Sequence, residues 1–139
     1  MTYRDPMNPF VAEIRFSGTP AAANFTYTLN ILQQTTSNLL SVSNGTDLTL
    51  PPGHYYCVSY PDFTRASSSY SNEVHWFLDG VQIGKPGGSD HYGGQSTDLS
   101  EATFTIHEDA VLTLRQTAWS GSAISLTNDA IAYIWRVPR

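Results

Sequence analysis

Hydrophobic and polar residues alternate along most of the chain, and apolar positions almost nowhere recur at the spacing of a helix. Phe10–Phe16 sets Phe10, Ala12, Ile14 and Phe16 on one face of a first strand, and Phe25–Ile31 repeats the pattern through Phe25, Tyr27, Leu29 and Ile31. Residues 39–42 lead into Asn44-Gly45, a pair that favours a two-residue hairpin turn, and Leu48 and Leu50 resume the alternation. Pro51-Pro52-Gly53 then interrupts the ladder, because proline has no N–H to donate. Further strands are predicted over Glu73–Leu78, Val81–Ile83, Leu99–Ile106, Ala110–Thr117, Ala123–Leu126 and Ile131–Val137. Asp79-Gly80, His107-Glu108-Asp109 and Asn128-Asp129 read as the turns between them, and the glycine-rich run Gly84–Gly94 reads as the longest loop. Eight to ten such strands fit an all-β, two-sheet antiparallel sandwich of the jelly-roll type.

The stretch Gly53-His54-Tyr55-Tyr56-Cys57-Val58-Ser59-Tyr60 tests whether the chain carries catalytic chemistry, because it sets the only cysteine near a histidine. On a strand, Tyr55, Cys57 and Ser59 face one way, and His54, Tyr56, Val58 and Tyr60 face the other. Cys57 and His54 therefore cannot form a dyad, and Cys57 is expected in the core, where free cysteines are most often found. Gly80–Pro86 superficially resembles a phosphate-binding loop, but its spacing is one residue short, a proline follows the lysine and no helix follows. His54, His75, His91 and His107 lie in four separate elements without metal-site spacing. No Gly-x-Ser-x-Gly elbow is present; Ser120-Gly121-Ser122 reads as a loop, and Asp98 with Glu101 is the nearest approach to a carboxylate pair. The expectation is a protein without catalytic residues, cofactor or metal.

Composition narrows the partners. The 139 residues suit one domain, and at that length a self-sufficient core needs no disulfide. The formal charge of -5, with one lysine and no basic stripe, argues against nucleic acid. No run approaches a membrane span. Met1–Pro6 lacks the basic start and apolar run of a signal peptide, so cytosolic synthesis is expected, and the sequons at Asn24 and Asn44 carry little weight.

The aromatic residues say more than the charged ones. Tyr3, Phe10, Tyr55, Tyr56, Tyr60, Phe63, Tyr70, Trp76, Phe77, Tyr92, Trp119, Tyr133 and Trp135 exceed what one small core needs, and alternation sends some of them outward, where Tyr and Trp suit interfaces or a carbohydrate. Tyr92 and Trp119 are the candidate partner- or ligand-binding rings. Residues 1–9 form a separate extended arm ahead of a domain at residues 10–139, and its Tyr3, Pro6, Met7 and Pro9 are candidate anchors on a partner, since prolines lower the entropy lost on docking.

Four segments resemble the C1q/TNF-like jelly-roll family: Leu50–Cys57, a proline-glycine entry into alternating aromatics; Val74–Gly80, a hairpin ending in a polar-glycine pair; Leu99–Leu114, two strands around an acidic turn; and Ala130–Val137, a closing strand. The resemblance covers residues 10–137, and the chain departs from it where Cys57 replaces the usual middle aromatic. It implies a homotrimer without catalysis. Animal members are secreted and often follow a collagen stalk, and neither feature is expected here. Similar small jelly rolls serve tailed bacteriophages as capsid decoration (cement) proteins and as fibre or spike heads. The resemblance thus implies a virion protein, made in the bacterial host cytoplasm, that binds the major capsid protein or other virion proteins and stabilises the capsid exterior. A head domain that recognises host surface glycan is the alternative.

Overall fold

The computed structural model describes residues 10–20, 24–64, 70–91, 95–121 and 124–137, with the backbone course alone at 10, 70, 89–91 and 95–97. Within them lie twelve strands and no helix: β1 (Phe10–Ser17), β2 (Phe25–Thr26), β3 (Thr28–Gln34), β4 (Ser41–Ser43), β5 (Asp47–Leu50), β6 (Gly53–Tyr60), β7 (Tyr70–Leu78), β8 (Val81–His91), β9 (Gln95–Asp98), β10 (Ser100–Ile106), β11 (Ala110–Gly121) and β12 (Ile131–Val137). A first sheet runs β3-β1-β12-β6-β10 and a second β8-β7-β11-β5-β4, with β2 beside β11 and β9 beside β8. The single pair Glu101–Lys85 links the sheets, where β10 meets β8. Every pairing is antiparallel.

The predicted alternation places the core between the sheets. Ala12, Ile14 and Phe16 from β1, Tyr55 and Cys57 from β6, and Ala132 and Ile134 from β12 meet Leu48, Leu50, Trp76, Leu112 and Leu114 of the second sheet. Buried polar groups in this layer find partners, as a low-dielectric interior requires, with the Ser59 hydroxyl the exception among the described residues. The Trp76 indole donates to the Ser100 carbonyl at 3.1 Å. Gln116 Oε1 accepts from the Tyr27 hydroxyl at 3.2 Å and from the Asn72 amide at 3.3 Å. Cys57 lies in the core as expected; its thiol points at the Ala102 carbonyl 3.6 Å away, and burial raises its pKa.

Four expectations need correction. The run Phe25–Ile31 is not one strand: β2 pairs with β11 in the second sheet and β3 with β1 in the first, so the chain changes sheets at Tyr27. The inward alternation survives because both sheets face the same core, and Tyr27 sits edge-on to Phe16 and Phe25. The connection at Asn44-Gly45 spans three residues, with Ser43 opposite Asp47. Ala123–Leu126 supplies only an isolated bridge from Leu126 to Phe63 among its described residues.

The fourth correction concerns Gly84–Gly94, which is no loop up to His91: β8 continues that far and folds back as β9, with residues 92–94 outside the described set. Its glycines serve close approach. A Cβ on Gly84 would stand 2.0 Å from the Glu101 carbonyl oxygen, and one on Gly88 2.1 Å from that of Asn72. Both have positive φ, 71° and 154°, which L side chains rarely adopt. Glycine content marks here a strand squeezed between its neighbours.

Candidate self-association surface

The outer face of the first sheet is built by strand period and cross-strand register together. Inward positions on β6 and β12 belong to the core, so Tyr56, Val58 and Tyr60 point outward from one strand and Ile131, Tyr133 and Trp135 from its neighbour. Register aligns them into rows. Val11, Trp135, Tyr56 and Thr103 form one; Gln33, Glu13, Tyr133, Val58 and Glu101 form the next; Asn30, Arg15, Ile131 and Tyr60 form a third.

The rings in these rows touch. Tyr56 stacks on Trp135 at 5.3 Å between centroids, Tyr133 lies 5.7 Å from Trp135, and Tyr60 meets Tyr133 edge-on at 5.9 Å. Val58 is only 1 % exposed despite pointing away from the core, because it lies in register between Tyr133 and Glu101 with Tyr56 and Tyr60 two residues away on its own strand. Tyr60, at 41 % exposure, is the most open ring. The Tyr56 hydroxyl donates to Glu101 Oε2 at 3.0 Å; burial, then this bond and the carboxylate's charge, raise its pKa.

The outer face of the second sheet is different. Arg115 lies over the Phe77 ring, 4.6 Å from its centroid, and donates to Thr113 Oγ1 at 3.1 Å. His75 Nδ1 sits 2.8 Å from Thr117 Oγ1. Its Phe77 ring is capped by a cation, and polar side chains satisfy one another. The first sheet instead presents four contacting rings to water.

Of the sequence-predicted site residues, only Trp119 falls within the described residues. Tyr3, Pro6, Met7 and Pro9 of the arm, and Tyr92, fall outside the described residues. Trp119 is half-buried: its ring packs 5.8 Å from Phe63, its indole donates to the Gly121 carbonyl at 3.1 Å, and with Ile124 and Leu126 it closes a satellite cluster at one end of the sandwich. It does not join the contiguous patch. His54 faces outward and bonds Thr105, on the side opposite Cys57. No group of three or more His, Cys, Asp or Glu able to hold a metal occurs among the described residues. Tyr56, Tyr60, Tyr133 and Trp135 belong to the surplus aromatics of the sequence, which does not reveal their grouping. The outward parity of Tyr56 and Tyr60 was already readable; what sequence lacks is the register that lays Tyr133 and Trp135 beside them.

No family model matches the chain, and no curated protein matches it. Solved structures do. Two crystal structures of murine APRIL, at pH 8.0 and pH 5.0, superpose with TM-scores of 0.65 and 0.68 at 11% identity, covering 94% of this chain and 100% of theirs. Eiger TNF from S. frugiperda gives 0.58 at 12% identity, covering 94% of each chain. At such identities the likeness is one of fold, and the fold is an all-β antiparallel sandwich, a TNF-like jelly roll.

Proposed function

We propose that the protein is a non-enzymatic structural module that assembles as a homotrimer through the outer face of its first sheet and works as a decoration protein on the exterior of a tailed-phage capsid. The observation that carries the self-association is the contrast between the two outer faces: four touching rings on one, self-satisfied polar groups on the other. The largest apolar patch on a protein surface is often functional, and these contacting rings form such a patch. Tyr and Trp rings surrounded by partly buried neighbours also have the character of interface hot spots.

Magnitudes show what else the assembly needs. A fully covered ring buries about 150–250 Å². Tyr60 is 41 % exposed and the other three rings are half-buried, so together they leave far less to water than the about 800 Å² that a stable interface takes from each partner. The patch is thus the centre of an interface whose remainder comes from its β10 flank and, in this proposal, from residues 1–9, with Tyr3 and Met7 as anchors. The capsid setting is supported by the lysine-poor, Ser/Thr/Asn-rich composition and by the jelly-roll resemblance. Such a protein acts by binding: ligation of the assembled shell alone raises the cost of opening it.

Particles that lack the protein provide the test. Purified protein should rebind them, stabilise them against heat, and lose most of its attachment when residues 1–9 are deleted, with an unchanged melting temperature in solution. Full rebinding of the truncated protein removes the arm from the proposal, and no binding by the intact protein removes the capsid.

A further inference from the structure

Beside the aromatic patch, on the β3–β1 flank of the same face, lies an open groove of about 300 Å³ lined by Val11, Glu13, Gln33, Gln34, Thr35 and Tyr133. Its walls are fixed. Gln34 bonds both backbone groups of Leu40, at 3.2 and 3.0 Å. The Val11 amide donates to Thr35 Oγ1 at 3.1 Å and the Thr35 amide returns a bond to the Val11 carbonyl at 3.0 Å. A bulge then sets its chemistry. The register shifts between Glu13 and Ile14, leaving Leu32 as the extra residue on β3, so that Gln33 falls directly opposite Glu13, which in turn lies opposite Tyr133. Bulges often re-aim a side chain at a functional site.

The outcome is a row of amide, carboxylate and phenol on three adjacent strands, each about 4.8 Å from the next. None of the three side-chain polar groups has a hydrogen-bond partner among the described residues. The Tyr133 ring lies 5.7 Å from that of Trp135, which ties the row to the aromatic patch. No lysine, arginine or histidine lines the groove, and its one charge is negative.

We infer that this groove is a binding site for a neutral saccharide, seated beside Val11 and the Tyr133 phenol and with hydroxyls bonded to Glu13 and Gln33. A pyranose has a C–H-rich face and a rim of hydroxyls that both donate and accept. The carboxylate can only accept, the amide does both, and the phenol does both, which matches such a rim. Anionic ligands are excluded by the lone carboxylate without a cation. A lone, partly exposed carboxylate also holds an organic cation weakly. The volume lies at the small end of ligand sites and admits one or two sugar rings. The inference does not depend on the capsid proposal, and the groove lies away from β10 on the opposite flank of the patch.

The test is a titration of the intact protein with methyl glucoside, galactoside, mannoside and N-acetylglucosaminide, followed by NMR of the Gln33 side-chain amide and the Val11 backbone amide. At least one neutral sugar should shift both signals saturably, with a dissociation constant on the order of 1 mM. Glu13→Gln and Gln33→Ala should each weaken it several-fold while leaving the melting temperature unchanged. Absence of saturable shifts with all four sugars overturns the inference. So does binding that survives both substitutions, or equal binding of methyl sialoside or choline. Light scattering on the same samples separates the two proposals, since a sugar-binding monomer leaves this site standing and removes self-association.

Discussion

His75 is the clearest case of one residue setting a solution property. It is 6 % exposed on the second sheet, bonded to Thr117, and its imidazole is held below the ordinary histidine range by burial, with the Glu73 charge pulling the other way. The neutral ring is thus the form that the fold prefers. As pH falls through the unfolded value, about 6.5, the unfolded chain takes up the proton first, so stability is full above that pH and declines below it until the folded form also protonates. Melting temperatures measured between about pH 7.5 and about pH 5 should therefore drop, and His75→Gln should flatten part of that slope. An identical slope in the variant would mean that His75 titrates alike in both states. At this scale sequence was informative about Cys57, because parity alone sent it away from His54 and into the core. It was silent about Trp119, whose half-burial depends on Phe63 and Ile124 arriving from two distant loops.

Among elements, β8 departs most from expectation. Glycine, proline and serine at residues 84–89 carry the composition of a loop, and composition cannot distinguish a flexible loop from a strand that must pass close to two others. The distinction is energetic and predicts a graded response. Gly80, at the tip of the β7–β8 hairpin, has a positive φ of 80° but open space around it. Gly80→Ala meets only the cost of that backbone conformation, about 1–2 kcal/mol. Gly84→Ala adds a clash with the Glu101 backbone at the junction of the sheets and should lower stability by clearly more, measured by chemical denaturation. Equal costs would show that β8 can move away from β10. The hairpin at Asp79-Gly80 was legible because its turn chemistry is local: both residues have positive φ, and Leu78 pairs with Val81 as a two-residue turn requires. The change of sheet at Tyr27 was not legible, because an alternating run looks the same whether one sheet or two receive it.

For the whole molecule, the sandwich was readable from period and turns, whereas the surface on which it acts arises from pairing between β12 and β6, 71 residues apart from Tyr60 to Ile131. Register over that separation is set by the folded topology, so the aromatic content was visible and its arrangement was not. The central claim is that Tyr56, Tyr60, Tyr133 and Trp135 form one apolar contact surface. Charge placed there should prevent association without touching the core. Sedimentation velocity at micromolar concentration tests it most directly, comparing the protein with a Tyr60→Glu/Trp135→Glu variant. The expected result is three times the 15.3 kDa chain mass for the protein and a folded monomer for the variant. A protein that sediments as a single chain at every concentration, or a variant that assembles as well as the original, would contradict it.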